Sequence, residues 1–94
     1  MERRVAVAAH EGLHARPAAL FVKAAGGTGL AVTIGKPGGP QVDARSILAV
    51  LSLDVRHGDE VVLSADGAEA EAALEHLVGI LAAAPTGSSR SDDG

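Results

Sequence analysis

The chain has 94 residues, a net charge of −4 and no cysteine; 47% of it is hydrophobic, with Phe21 the sole aromatic residue. Such a length makes one small domain with an aliphatic, small-residue core. The acidic balance argues against nucleic acid as the main partner, the missing thiols rule out disulfide and thiolate chemistry, and no segment reaches membrane-spanning length.

Arg4 to Ala9 alternates around Val5 and Val7 and reads as a first strand. A helix is expected from about Pro17, whose fixed φ and missing N–H suit a first turn, to Gly26-Gly27. Its apolar face is Ala18, Phe21, Val22 and Ala25. Leu30 to Ile34 is a second strand, Gly35 to Pro40 a turn, and Gln41-Val42-Asp43 a short third strand closing a hairpin. Ser46 is placed as N-cap of a short helix, 46–51. His57-Gly58-Asp59 is a turn and Glu60 to Ser64 the fourth strand. Asp66-Gly67-Ala68-Glu69 has the spacing of a capping box and opens a last helix with a core stripe of Leu74, Leu77, Val78 and Leu81, ended by Pro85. Residues 1–84 then form the domain and 85–94 a Ser-, Gly- and Asp-rich mobile tail. The order is β-α-β-β-α-β-α. The tight 35–40 turn forces an antiparallel pair, so the fold expected is α+β, one sheet with helices packed on one face.

Gly12-Leu13-His14-Ala15-Arg16-Pro17 is the stretch with chemistry. His14 and Arg16 stand just ahead of the expected helix, Arg16 at its N-cap, where unpaired N–H groups and the helix dipole attract anions. The same field disfavours imidazolium and leaves a neutral, nucleophilic ring near neutral pH. The Arg16 guanidinium offers a planar fork of donors to phosphoryl oxygens. A nucleophile with an anion site, and no second acid or base beside it in sequence, points to accepting and donating a phosphoryl group rather than to hydrolysis.

That stretch resembles the active-site signature of HPr, the histidine phosphocarrier family of the bacterial phosphoenolpyruvate-dependent sugar phosphotransferase system. The resemblance extends over about residues 3–84, including Gly58-Asp59-Glu60-Val61 and the acidic, Ala-rich last helix. It implies an open-faced sandwich with a four-stranded antiparallel sheet. It also implies that His14 accepts the phosphoryl group on Nδ1 from enzyme I and passes it to sugar-specific IIA domains. Arg16 and the N–H groups of Ala15 and Arg16 would hold the phosphoryl charge. By the same resemblance, Ile47, Leu48 and Leu51 form the docking patch, and Ser46 matches the serine that an HPr kinase modifies in some lineages. The protein would be a cytoplasmic monomer and a carrier rather than an enzyme, without cofactor or metal. Two features depart from the pattern. Glu11 slightly repels a phosphorylated His14, and the 35–40 hairpin is longer and richer in Gly and Pro than usual.

Two rival readings are set beside it. One is a non-transferring regulator of the same fold that binds a transcription factor through residues 46–51. The other takes His10-Glu11-Gly12-Leu13-His14 as the zinc pattern H-E-x-x-H, which requires a continuous helix that Gly12 and Pro17 oppose.

Overall fold

A computed structural model of the chain describes residues 1–8 and 15–83. The elements run β1 (Glu2–Ala6), α1 (Ala15–Gly27), β2 (Thr33–Gly35), β3 (Val42–Asp43), α2 (Ile47–Ser52), β4 (Glu60–Ser64) and α3 (Ala70–Ala82). All strand pairs are antiparallel, in the order β1-β4-β2-β3. The α+β sheet with helices on one face is therefore what the chain forms.

The register explains which side is covered. Val5 faces Val61, and Arg3, Leu63, Ile34 and Val42 form one cross-strand row on the helix side. Val5, Val61, Leu63 and Ile34 are buried there with Phe21, Ala25, Leu74, Leu77 and Leu81 from the helices. Arg3 continues the β1 inward positions but is long enough to reach α3, where its Nε donates to Glu75 Oε2 at 2.7 Å. The opposite face carries Glu2, Arg4, Glu60, Ser64 and Thr33, the polar half of a period-two pattern.

Several boundaries differ from the sequence reading; β2, for one, runs Thr33–Gly35 rather than from Leu30 to Ile34. β1 starts at Glu2 and its ladder to β4 ends at the Ala6–Glu60 pair, because Val7 turns its hydrogen bonds to the 58–59 turn. α1 begins at Ala15, two residues before Pro17, which the missing N–H permits anywhere in a first turn. α3 begins at Ala70 with Glu69 as N-cap and no side-chain cap bond, so the expected capping box does not form. Gly67, at φ +117, turns the chain away before the helix, and the Asp66 carboxylate instead lies 3.5 Å from the N-terminal ammonium.

The 35–40 connection is a tight structure despite its length. Gly39 N–H donates to Lys36 O at 2.9 Å across Pro37-Gly38, and Gly38 at φ +77 supplies the positive φ that a type II turn needs after proline. Gly35 admits no side chain, since a Cβ there would lie 2.3 Å from Pro40 O.

Candidate functional site

His14 lies outside the described residues, as do the H-E-x-x-H stretch, the Pro85 stop and the tail 85–94. The site is therefore built from the elements around them. His14 is the residue that precedes Ala15 in the chain, and Ala15 opens α1. Arg16 is the second residue of this helix rather than its N-cap, and it is exposed. The N–H groups of Ala15 and Arg16 belong to the first turn, which has no carbonyls four residues back within the helix. No acidic side chain stands in that turn to neutralise the positive end of the dipole. An anion brought there meets backbone donors, the helix field and a guanidinium tethered in the same turn.

Ser46 is where the sequence placed it. It N-caps α2 in extended conformation, and its Oγ accepts the Ala49 N–H at 3.3 Å. The turn ahead is set by Asp43, whose carboxylate accepts from both the backbone N–H and the guanidinium of Arg45. That second contact, with the backbone bond behind it, holds the Asp43 carboxyl below its ordinary value. Arg3 is pushed upward by the hydrogen bond to Glu75. Both shifts belong to structural ion pairs and neither lies in the first turn of α1.

The three apolar residues of α2 divide. Leu48 is 78% exposed, while Ile47 and Leu51 are half-buried against the core. Leu20, 62% exposed on the neighbouring α1, is a second uncovered leucine that the sequence reading did not single out. Its signal was present: it sits between the buried Ala18 and Phe21 stripe positions but off that stripe. His57 lies in the exposed 56–59 turn and His76 on the α3 surface. His76 lines a shallow groove of about 450 Å³ with Ala24, Gly27, Thr28 and Ala73 at the far end of α1. Nine to twelve residues of helix, roughly 14–18 Å, separate the groove residues Ala24 and Gly27 from Ala15. Among the described residues no helix is long and apolar enough to cross a membrane.

The chain matches, over residues 1–83, the family described as the PTS HPr component phosphorylation site. It is 56% identical over 81 residues to the phosphocarrier protein HPr of Streptomyces coelicolor, covering 86% of this chain and 87% of that one. The HPr-like protein Crh of Bacillus subtilis is 43% identical over 77 residues, 82% of this chain and 89% of its own. Among solved structures, the phosphocarrier protein HPr from Bacillus anthracis superposes with a TM-score of 0.81 at 38% identity, covering 86% of this chain and 95% of the other. Sheet order, helix placement and sequence agree over nearly the whole of the described structure, and the chain belongs to the HPr family, the phosphocarrier proteins of the phosphotransferase system.

Proposed function

We propose that this phosphocarrier takes its phosphoryl group on His14 from phosphorylated enzyme I and hands it to IIA domains that support sugar uptake. The observation that carries the assignment is the start of α1 at Ala15, which puts His14 next in the chain to a first turn rich in unspent donors. Arg16, one residue inside that turn, supplies the charge-matched fork for the phosphoryl oxygens. The attacking group is the imidazole ring in its neutral form. In the forward step the ring nitrogen forms a bond to phosphorus as the bond to the donor breaks. In the reverse sense the same nitrogen leaves as the acceptor attacks. The larger partner closes the site around this nucleophile.

Leu48 and Leu20, with the exposed edges of Ile47 and Leu51, supply the apolar ground for enzyme I and IIA domains, the polar helix surface forming its rim. Ser46, at the border of this patch, is the candidate regulatory phosphosite for an HPr kinase. A phosphate there would add two charges beside the docking leucines. The localisation that follows is cytoplasmic.

The test is phosphorylation by enzyme I and phosphoenolpyruvate, followed by intact-protein mass measurement at neutral and acid pH. The expected product carries one acid-labile phosphoryl group, is lost in His14→Ala and forms slowly in Arg16→Glu, both variants keeping wild-type thermal unfolding. An acid-stable adduct, or a full adduct on His14→Ala, overturns the assignment. A complete lack of adduct on the wild type would favour the regulator reading, in which residues 46–51 bind a transcription factor.

A further inference from the structure

Asp66-Gly67 is the half of the expected capping box that the fold leaves unused. Residues 66–69 are exposed, between Ala65, buried just past β4, and Ala70, buried at the start of α3. The Asp66 side chain stands fully in water, and among the described residues no backbone N–H donates to it. Its ion pair with the N-terminal ammonium, at 3.5 Å, is of the exposed kind that restrains little. Among the described residues nothing accepts the Gly67 N–H. A Cβ on Gly67 would approach only Leu30 Cδ2, at 3.8 Å, so the peptide nitrogen between the two residues is screened neither by a side chain nor by a close neighbour. The other aspartates of the described residues differ. Asp43 and Asp59 each spend a carboxylate oxygen on a backbone N–H, of Arg45 and Arg56, and are followed by Ala44 and Glu60. Asp54 is followed by the buried, β-branched Val55.

We propose that Asp66-Gly67 is a site of spontaneous covalent modification, at which the aspartyl link isomerises to an isoaspartyl one with water as the only co-reactant. In the first step, the carboxyl having taken a proton from solvent, the Gly67 nitrogen bonds to Asp66 Cγ. The carboxyl hydroxyl and the nitrogen's proton depart as water and leave a five-membered succinimide. In the second step water adds to one of the two ring carbonyls, and the bond from that carbon to nitrogen breaks. Opening at Cγ restores aspartate. Opening at the main-chain carbonyl makes the former side chain part of the backbone, and the new carboxyl returns its proton to solvent. Mass and charge are unchanged, but the main chain is longer by one methylene. The flanks resist that extra length: Ala65 N–H donates to Met1 O at 3.0 Å, Ala70 N–H to Gly67 O at 3.1 Å, and both alanines pack in the core. Isomerisation therefore loosens the junction between β4, the N-terminus and α3.

The experiment ages the full-length protein at neutral pH and labels it with an isoaspartyl carboxyl methyltransferase and isotopic S-adenosylmethionine. Electron-transfer fragmentation of the peptides locates the label and separates this site from Asp92-Asp93-Gly94. The label is expected in the Asp66 peptide. It should accumulate within about threefold of the rate in the same chain unfolded in guanidinium, because freeing an unbonded loop costs close to nothing. Asp66→Asn, which closes the same ring by losing ammonia, should label about tenfold faster through a lower barrier. Asp66→Glu keeps the charge and the Gly67 turn but would need a six-membered ring, and its label at this peptide should vanish. The isoaspartyl form, separated from fresh protein, should unfold at a lower temperature. No label at Asp66, a folded rate more than about tenfold below the unfolded one, or a label that survives Asp66→Glu overturns the proposal. An isoaspartyl form that unfolds with the fresh protein overturns the loosening of the junction.

Discussion

The Ser46 hydroxyl accepts the Ala49 backbone N–H at 3.3 Å, so the candidate phosphosite is also the residue that starts α2. The two roles compete for one oxygen. Ser46→Ala removes the cap and is expected to cost about 1 kcal/mol. For a domain of this size that is a fall of roughly 4–8 °C in unfolding temperature. Ser46→Asp keeps an acceptor at the same position, and its carboxylate suits a helix start. It should therefore unfold near the wild-type temperature while accepting phosphate from enzyme I more slowly, because the added charge borders Leu48. Calorimetry and a transfer assay on the two variants check the pair of outcomes. Equal stability of both variants would show that the cap contributes nothing.

Phe21 is completely buried, and it is the one aromatic ring in a core otherwise built of Val, Leu, Ile and Ala. Phe21→Ala leaves a cavity that aliphatic neighbours from several elements cannot refill. The expected loss is about 3–5 kcal/mol, a large part of the roughly 5–15 kcal/mol that holds an ordinary domain together. Leu77→Ala, equally buried on α3, should cost about 2–5 kcal/mol. Urea unfolding followed by far-UV circular dichroism measures both. Leu48→Ala is the control: its side chain is mostly in water, so its midpoint should stay within about 0.5 kcal/mol of wild type.

How far the fold was legible in the sequence depends on how local its determinants are. β4 has the expected bounds, since Glu60-Val61-Val62-Leu63-Ser64 is a β-branched run stopped by turns on both sides. Ser46 was found because a hydroxyl ahead of an apolar run has few other uses. Asp66 misled for a tertiary reason: the four-residue spacing of a capping box was present, but Gly67 bends the chain and the N-terminal ammonium takes the carboxylate. A six-residue helix also gives too short a period to separate covered from uncovered leucines. Only Val50 of α2 is fully buried, and which side is left open depends on where α1 lies, a fact that no local spacing contains. Around the His14-Ala15-Arg16-Pro17 stretch what was legible is the helix start, since a proline suits a first turn and α1 begins at Ala15.

Asp43 gives a pH prediction with a definite sign. Its pKa is lowered in the fold, chiefly by the hydrogen bond from the Arg45 guanidinium and next by the Arg45 backbone N–H. A carboxylate depressed on folding contributes stability above its ordinary value of 3.8 and loses that contribution as pH falls through the lowered one. In Arg45→Ala the larger cause goes and the backbone bond stays. The Asp43 midpoint should rise toward 3.8 without reaching it. Carboxyl-carbon NMR titration of both proteins reads this directly, and an unchanged midpoint would mean that the guanidinium contact is not made in solution.

Asp54 is the one non-glycine residue at positive φ among the described residues, at +53. It follows the C-cap Leu53 of α2, and its N–H donates to Leu51 O at 3.2 Å. That is the position where helices most often place glycine, because a Cβ in the left-handed region crowds the carbonyl. The Asp54 side chain recovers little, since its contact to Arg56 at 3.2 Å lies between groups that are 77% and 73% exposed. Asp54→Gly should therefore stabilise the protein by about 0.5–1 kcal/mol, the relief of strain exceeding the extra freedom given to the unfolded chain. Asp54→Val, with a β-branched carbon in the same conformation, should destabilise by about 1–2 kcal/mol. The Asp54 carbonyl, which accepts from Lys36 Nζ at 3.2 Å, is kept in both variants, so this tether to the 35–40 hairpin survives and the comparison isolates the backbone. Chemical denaturation of the two variants and the wild type tests the order Gly, Asp, Val, and a glycine variant less stable than wild type would show that the turn is held by the Asp54 side chain after all.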